Sequence, residues 1–236
     1  MPPMFRHLHA PALPRRSFLS RLGIGLTGGA ALGAAGVAPA QAQSSTRRFQ
    51  PARHAGDDWF DQIPGQHRFV FDTISADGLT LALTFINNYL NASESGYGLK
   101  DKDHAVVLVL RHRSTPFAFN NAIWGKHGVA ITQRSQYNDP TTNQAPKVNV
   151  FAAPPDAAQR GRQGLTGVIA RGVQLAVCGV STRNYAGNIA EAGGGAADQV
   201  YNEIAGNLLQ NARIVPAGIV AVSRAQEHGY SLAYCG

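Results

Sequence analysis

The feature that most constrains the fold is a continuous apolar run, "HAVVLVL", at residues 104–110. A strand of this kind needs cover on both faces, as in a parallel sheet held between two layers of helices. Further strand-type segments alternate with helical patterns along the chain, namely "HRFVFDTIS", "VQLAVCG", "ARIVPAG" and "YSLAYCG". This alternation predicts a three-layer α/β/α fold with flavodoxin-like layering, right-handed crossovers and a mainly parallel five-stranded sheet.

The first 42 residues have the form of an export signal. Arg15 and Arg16 precede Ser, Phe and Leu, a Gly/Ala-rich stretch follows, and small residues at Ala40 and Ala42 suit cleavage after Ala42. This pattern resembles a twin-arginine (Tat) signal and predicts a bacterial periplasmic protein. A membrane anchor would need roughly 20 strongly apolar residues, so no stable anchor is expected after cleavage.

Composition sets the remaining domain boundaries. Residues 43–66 are polar with scattered aromatics and are expected to form a tether or a capping arm, and the α/β domain is expected to span residues 67–236. Within it, residues 133–164 form a polar insertion whose length is typical of a functional loop or a disordered segment. A short strand is expected inside that insertion, at residues 147–151.

Two helices of the domain have recognisable starts. Asp77 is expected to cap a helix that carries Leu79, Leu83 and further apolar residues at helical spacing. Pro116 is expected in the first turn of the next helix, which ends at Gly128.

Charge and cysteine count narrow the class of protein. Residues 1–42 hold four arginines and no acidic residue, so their removal lowers the formal net charge from +7 to +3. No stripe of Lys and Arg interleaved with aromatics remains, so no nucleic-acid partner is expected. Two cysteines in a chain of 236 residues do not make a disulfide framework.

Cys178 is the foremost candidate for chemistry. Ligands of open α/β sheets bind outside the carboxyl ends of the strands, where Asp72, His112 and Cys178 are all predicted to lie. A helix N-terminus and the nearby Arg183 would lower the pKa of the Cys178 thiol, and the thiolate is the nucleophile. Ser181 could cap the helix or donate to the sulfur. The alternative is a buried cysteine that acts as a small hydrophobic residue.

His112 lies between Arg111 and Arg113 in "LRHRSTPF". A neutral imidazole there could serve as a base or a metal ligand. The flanking arginines disfavour its protonation and would attract an anion such as a sulfur oxyanion. A solvated loop histidine is the alternative. Metal-ligand spacings such as HxH, HExxH or CxxC are absent after residue 42, so no metal and no cofactor are predicted.

Cys235, the penultimate residue, leaves three possibilities open. A disulfide with Cys178 is one, because export favours such bonds. It requires the two cysteines to lie on neighbouring strands, or Cys235 to lie on a mobile tail, since Cα atoms more than roughly 7 Å apart cannot be bridged. A reversible redox pair and two independent thiols are the others.

The second half of the chain resembles the DsrE/DsrF-like family of sulfur-relay proteins. The likeness rests on "LTGVIARGVQLAVCGVSTRN" and on the ending "ARIVPAGIVAVSRAQEHGYSLAYC". The resemblance implies a three-layer α/β protomer that forms homo-oligomers. It also implies that Cys178, which matches the persulfide-carrying cysteine of the relay members, receives sulfur from a small sulfur species or a thiol partner protein. The export signal and the insertion at residues 133–164 are not part of that family's pattern.

Three functional hypotheses follow. In the first, an exported protein handles sulfur at Cys178, with Arg183 stabilising the anion and His112 assisting proton movement or anion capture. In the second, a non-enzymatic protein of the same fold uses the strand-end crevice and the long loop to bind a ligand or a partner. In the third, His112, His127 and Cys178 carry a metal or haem.

Overall fold

The computed structural model of the protein describes residues 50–152 and 164–236. Its strands are β1 His67–Thr73, β2 His104–Leu110, β3 Gln174–Cys178, β4 Ala212–Val215 and β5 Ser231–Tyr234. They form one sheet in the order β4-β3-β2-β1-β5, and every neighbouring pair is parallel. The predicted export signal at residues 1–42 lies outside the described residues.

Helices cover both faces of this sheet. They are α1 Trp59–Gln62, α2 Ala76–Tyr97, α3 Asn121–Ser135, α4 Leu165–Ala170, α5 Gly179–Ile189, α6 Ala197–Ala205 and α7 Gly218–Glu227. None of these helices combines the length and the apolar character needed to cross a membrane. All seven residues of β2 are buried, as expected for a strand covered on both sides.

The alternation of β2 side chains separates two cores. Val106, Leu108 and Leu110 belong to the core beneath α2 to α6, whereas Val107 and Val109 belong to the core beneath α1 and α7. Strands β1 to β4 step across the sheet in one direction, so right-handed connections place α2 to α6 on the same face. The return from β4 to β5 reverses direction and places α7 on the other face. The predicted three-layer α/β/α fold is confirmed.

The cap of α2 differs from the prediction. Ser75, in extended conformation, is the N-cap, and its hydroxyl accepts a hydrogen bond from the Gly78 amide. Asp77 lies inside the first turn instead. Ser75 is favoured because it directly follows the end of β1, where the backbone is still extended and a short hydroxyl side chain can reach the free amides.

The helix predicted from Pro116 to Gly128 is also displaced. Pro116 lies in a 3₁₀ segment, His112–Ala118, and α3 begins only after Asn120, whose side chain accepts hydrogen bonds from two amides of the first turn. The helix continues through Gly128 to Ser135. Gly128 does not end the helix. Its missing side chain makes room for the Pro146 carbonyl, which would lie 2.1 Å from a Cβ atom at this position.

The predicted strand at residues 147–151 is not formed. This segment is a series of turns, which Asn149 fixes by donating its side-chain amide to the carbonyls of Phe117 and Phe119. The carbonyls of Phe117 and Phe119 therefore accept hydrogen bonds from the Asn149 side chain and not from its backbone, so these two bonds are not part of a strand pairing. Residues 153–163 of the predicted loop lie outside the described residues.

Residues 50–66 pack against the second face of the sheet. Trp59 and Phe60 of α1 are buried there, and the Tyr230 hydroxyl donates to the Phe60 carbonyl over 2.7 Å. Arg224 forms an ion pair with Asp57 at 2.7 Å. This segment therefore covers part of the core beneath α7.

Candidate functional site

Cys178 is the last residue of β3 and the N-cap of α5. Its sulfur accepts a hydrogen bond from the Ser181 amide at 3.4 Å, and its carbonyl accepts one from the Thr182 hydroxyl at 2.9 Å. The residue is 6% exposed. The sulfur therefore lies at the N-terminal end of α5, and only a small part of the residue reaches the surface.

Ser181 connects Cys178 with His112. Its amide donates to the Cys178 sulfur, and its hydroxyl oxygen accepts the backbone amide of His112 at 3.0 Å. His112 follows β2 with a φ of 56°, in the left-handed region, and its side chain is exposed. The fold thus brings these two predicted site residues to one edge of the sheet, with one serine between them.

Arg183, the third predicted site residue, points elsewhere. Its guanidinium lies over the Tyr201 ring, 4.2 Å from the centroid, and 3.9 Å from Asp198. Both partners belong to α6. Arg183 is the fifth residue of α5, and its guanidinium contacts α6 rather than the end of β3.

A second arginine, Arg111, directly follows β2. Its guanidinium forms a two-point ion pair with Asp72, with Nε and Nη2 each 2.8 Å from a carboxylate oxygen. The pKa of Arg111 is raised, chiefly by these hydrogen bonds and, more weakly, by the charges of Tyr234 and Cys178. Its side chain lies against Gly218, where a Cβ atom would be 2.5 Å from the arginine Cβ.

A cavity of about 600 Å³ opens beside His112, and we call it the basic pocket. It lies between the segment after β2, helix α3 and the end of α5. Its lining residues are His112, Arg113, Ala130, Gln133, Arg134, Asn188, Glu191 and Ala192. Cys178 is not one of them, and Ser181 joins it by hydrogen bonds to His112, which is.

In the part of the chain that the structure describes, the two arginines of the basic pocket form no ion pair with an acidic side chain. Within the described residues, neither Arg113 nor Arg134 has a carboxylate within 4.0 Å, whereas every other described arginine except Arg213 has one. Arg134 donates to the Asn188 side-chain oxygen at 3.1 Å, and its guanidinium lies over the ring of Tyr185. The pocket therefore carries positive charge that the described residues do not neutralise.

The arginines perturb two neighbouring groups. The pKa of His112 is lowered by partial burial and by the charges of Arg113, Arg134 and Arg111, so the imidazole is neutral at pH 7. Burial raises the pKa of Tyr185, while Arg134 and Arg113 act in the opposite direction. The hydroxyl of Tyr185 is buried and has no hydrogen-bond partner among the described residues.

A disulfide between the two cysteines is incompatible with the strand order. Two strands, β2 and β1, separate β3 from β5, so Cys178 and Cys235 lie three strand spacings apart. At about 4.8 Å per spacing the separation is roughly 14 Å, twice the limit for a disulfide. Both cysteines are buried free thiols, and burial together with Asp72 raises the pKa of Cys235. An intramolecular redox pair is excluded by the same distance.

The residues of the metal or haem hypothesis do not converge. His127 is buried and lies 3.5 Å from Glu203 of α6. Among residues 50–152 and 164–236, no group of three or more His, Cys, Asp or Glu side chains could hold a metal ion.

Comparisons with protein-family models, with curated proteins and with solved structures found no match for this chain. The resemblance to the DsrE/DsrF-like family therefore stays a prediction. The basic pocket is identified from the geometry of the described residues and not from similarity to a known protein. Sequence reasoning identified His112 and Arg113 but missed Arg134 and Asn188, because no spacing in the chain links the end of α3 to the end of α5.

Proposed function

We propose that the protein binds an oxyanion in the basic pocket. The observation that carries the proposal is the pair Arg113 and Arg134, which line one cavity together and have no carboxylate within 4.0 Å in the described chain. Guanidinium groups bind carboxylate, sulfate and phosphate oxygens through charge-assisted hydrogen bonds, often two at a time. An anion would supply the negative charge that this cavity lacks.

The neutral side chains of the pocket fit the same ligand. Gln133 and Asn188 offer amide donors, and His112 can donate in either neutral tautomer. Glu191 is the single acidic residue in the lining. Its carboxylate would repel an anion, so the anion should bind next to the arginines and away from Glu191. In this proposal the protein is exported, as the N-terminal sequence predicts, and meets a sulfur oxyanion or a similar ion in the periplasm.

Isothermal titration calorimetry with sodium sulfate and sodium thiosulfate, at constant ionic strength, tests the proposal. A hydrogen bond to a charged group contributes about 1.5–3 kcal/mol, so Arg134→Gln should weaken binding by roughly 10- to 150-fold. Arg213→Gln is the matched control, because Arg213 also lacks a carboxylate but lies over Trp59, near α1. Equal affinities for wild type and Arg134→Gln would refute anion binding at this pocket.

Sulfur transfer at Cys178 is a second candidate function. It is favoured by the hydrogen bond from the Ser181 amide to the sulfur. The Cys178 thiolate would attack the outer sulfur of thiosulfate. The sulfur–sulfur bond of thiosulfate would break, its electron pair would leave with sulfite, and Cys178 would keep the transferred sulfur as a persulfide. This reaction needs no external oxidant or reductant.

Mass spectrometry of the reduced, folded protein after thiosulfate or polysulfide treatment separates the two candidates. Sulfur transfer predicts the gain of one sulfur atom on Cys178, its loss in Cys178→Ala, and its retention in Cys235→Ala. An unmodified Cys178 would eliminate sulfur transfer as a candidate function. It would not affect the anion-binding proposal, which is tested separately by calorimetry.

A further inference from the structure

The basic pocket adjoins a second cavity of about 500 Å³, which we call the side chamber. Its walls are residues 124–130 of α3, residues 145–147 of the long connection and residues near the end of α5. Ala130, Gln133 and Ala192 line both cavities, so the two spaces meet at these three residues.

The side chamber offers a ligand fewer unpaired positive charges than the basic pocket does. Lys126 and His127 line it, but Glu203 already binds both, at 2.8 Å and 3.5 Å. The pKa of Glu203 is lowered, first by the hydrogen bond from Lys126. Apart from Lys147 and Gln133, the other lining positions are apolar residues or glycines, including Val129, Pro146 and Ile189.

The outer wall of the side chamber is held in place by close packing. The Pro146 carbonyl fits against the bare Cα of Gly128, and the Lys147 carbonyl lies 3.5 Å from the Cβ position of Gly125. Asn149, two residues further on, is anchored by its hydrogen bonds to the carbonyls of Phe117 and Phe119. The chamber is thus a preformed space in the described structure.

From these observations we infer that the ligand is an elongated organic anion, with its charged group in the basic pocket and an apolar body in the side chamber. The inference rests on the proposed anion binding and names the class of ligand. A sulfate ion would leave most of the roughly 600 Å³ of the basic pocket empty, and pockets of about 300–1,000 Å³ typically enclose organic molecules. The basic pocket holds the two unpaired arginines. The side chamber is lined mostly by apolar residues and glycines, and the exposed Lys147 is its one cation without a carboxylate within 4.0 Å among the described residues. This pair of cavities matches an organic sulfonate or carboxylate with an aliphatic chain.

A series of linear alkyl sulfonates, from methanesulfonate to hexanesulfonate, tests this inference by calorimetry. Each methylene group that enters the side chamber should tighten binding by about fourfold. Ala192→Phe should place a ring at the junction of the cavities, so it should abolish the dependence of affinity on chain length. Ala192→Ser is the matched control, and Arg134→Gln should weaken all members of the series alike.

The possible results separate the two proposals. If wild type binds every member with one affinity, or if Ala192→Phe keeps the full dependence on chain length, the elongated ligand is ruled out and anion binding stands. If Arg134→Gln binds every member as tightly as wild type does, both proposals fail. A gain in affinity with chain length that Ala192→Phe removes and Ala192→Ser preserves supports the inference.

Discussion

Replacing Arg111 by Met should strongly destabilise the domain. The change removes the guanidinium that contacts Asp72 through two hydrogen bonds of 2.8 Å, and it keeps an unbranched side chain to pack against Gly218. The Asp72 side chain is 4% exposed and that of Arg111 is 23% exposed, so the variant leaves a buried carboxylate without its cation. Breaking a buried pair in this way costs about 3–5 kcal/mol, and the partial exposure of Arg111 favours the lower figure.

Thermal unfolding followed by circular dichroism measures this effect. For a domain of this size, a loss of about 3 kcal/mol corresponds to a fall in Tm of roughly 6–12 °C. The double variant Asp72→Asn/Arg111→Met should recover more than half of the loss, because a neutral amide needs no counter-charge. Arg183→Met is the control, since that arginine is 64% exposed and its pair with Asp198 is long, so its Tm should stay near that of wild type. A Tm for Arg111→Met within about 2 °C of wild type would refute the reasoning.

Three further predictions concern the pocket, the arm and the thiols. In calorimetric titrations, the affinity for sulfate should stay constant between pH 7 and 8 and rise as the pH falls below about 6.5. The reason is that His112, whose pKa is lowered, gains a positive charge when it is protonated. His112→Asn should remove this rise. Phe60→Ala should lower the unfolding free energy by about 3–5 kcal/mol in urea titrations, because that ring is fully buried beneath α7; a loss below about 1 kcal/mol would contradict the packing. Protein purified without reductant should retain two free thiols in denaturing thiol titrations, whereas an intramolecular bond between Cys178 and Cys235 would contradict the strand order.

The two candidate functions use opposite sides of Ser181. The proposed anion binding would take place where His112 and α3 line the basic pocket, and the proposed sulfur transfer would take place at the sulfur that the Ser181 amide contacts. A ligand that pulls His112 away from Ser181 would also disturb the support of Cys178. The functions are therefore adjacent, but each has its own residues and its own assay.

Local pattern was sufficient to predict the layers of the fold. The apolar run of β2 needs cover on both faces, and the alternation of strands and helices then predicts a parallel sheet between two layers of helices. The placement of Cys178 at a strand end followed from the same local signals, because "LAV" before it and "GVSTRN" after it differ sharply in polarity. Helix starts were less accurate, because several polar residues compete for each cap and tertiary packing selects one.

Strand order, by contrast, was decided only by the tertiary structure. It places β2 and β1 between the two cysteines, and it pairs Arg111 with Asp72 on the neighbouring strand while Arg183 contacts α6. It also lets α3 and α5 pack side by side, so Arg134 and Asn188, 54 positions apart, meet in one pocket. Such contacts depend on which elements become neighbours after folding, and no periodicity within a single segment of the chain carries that information.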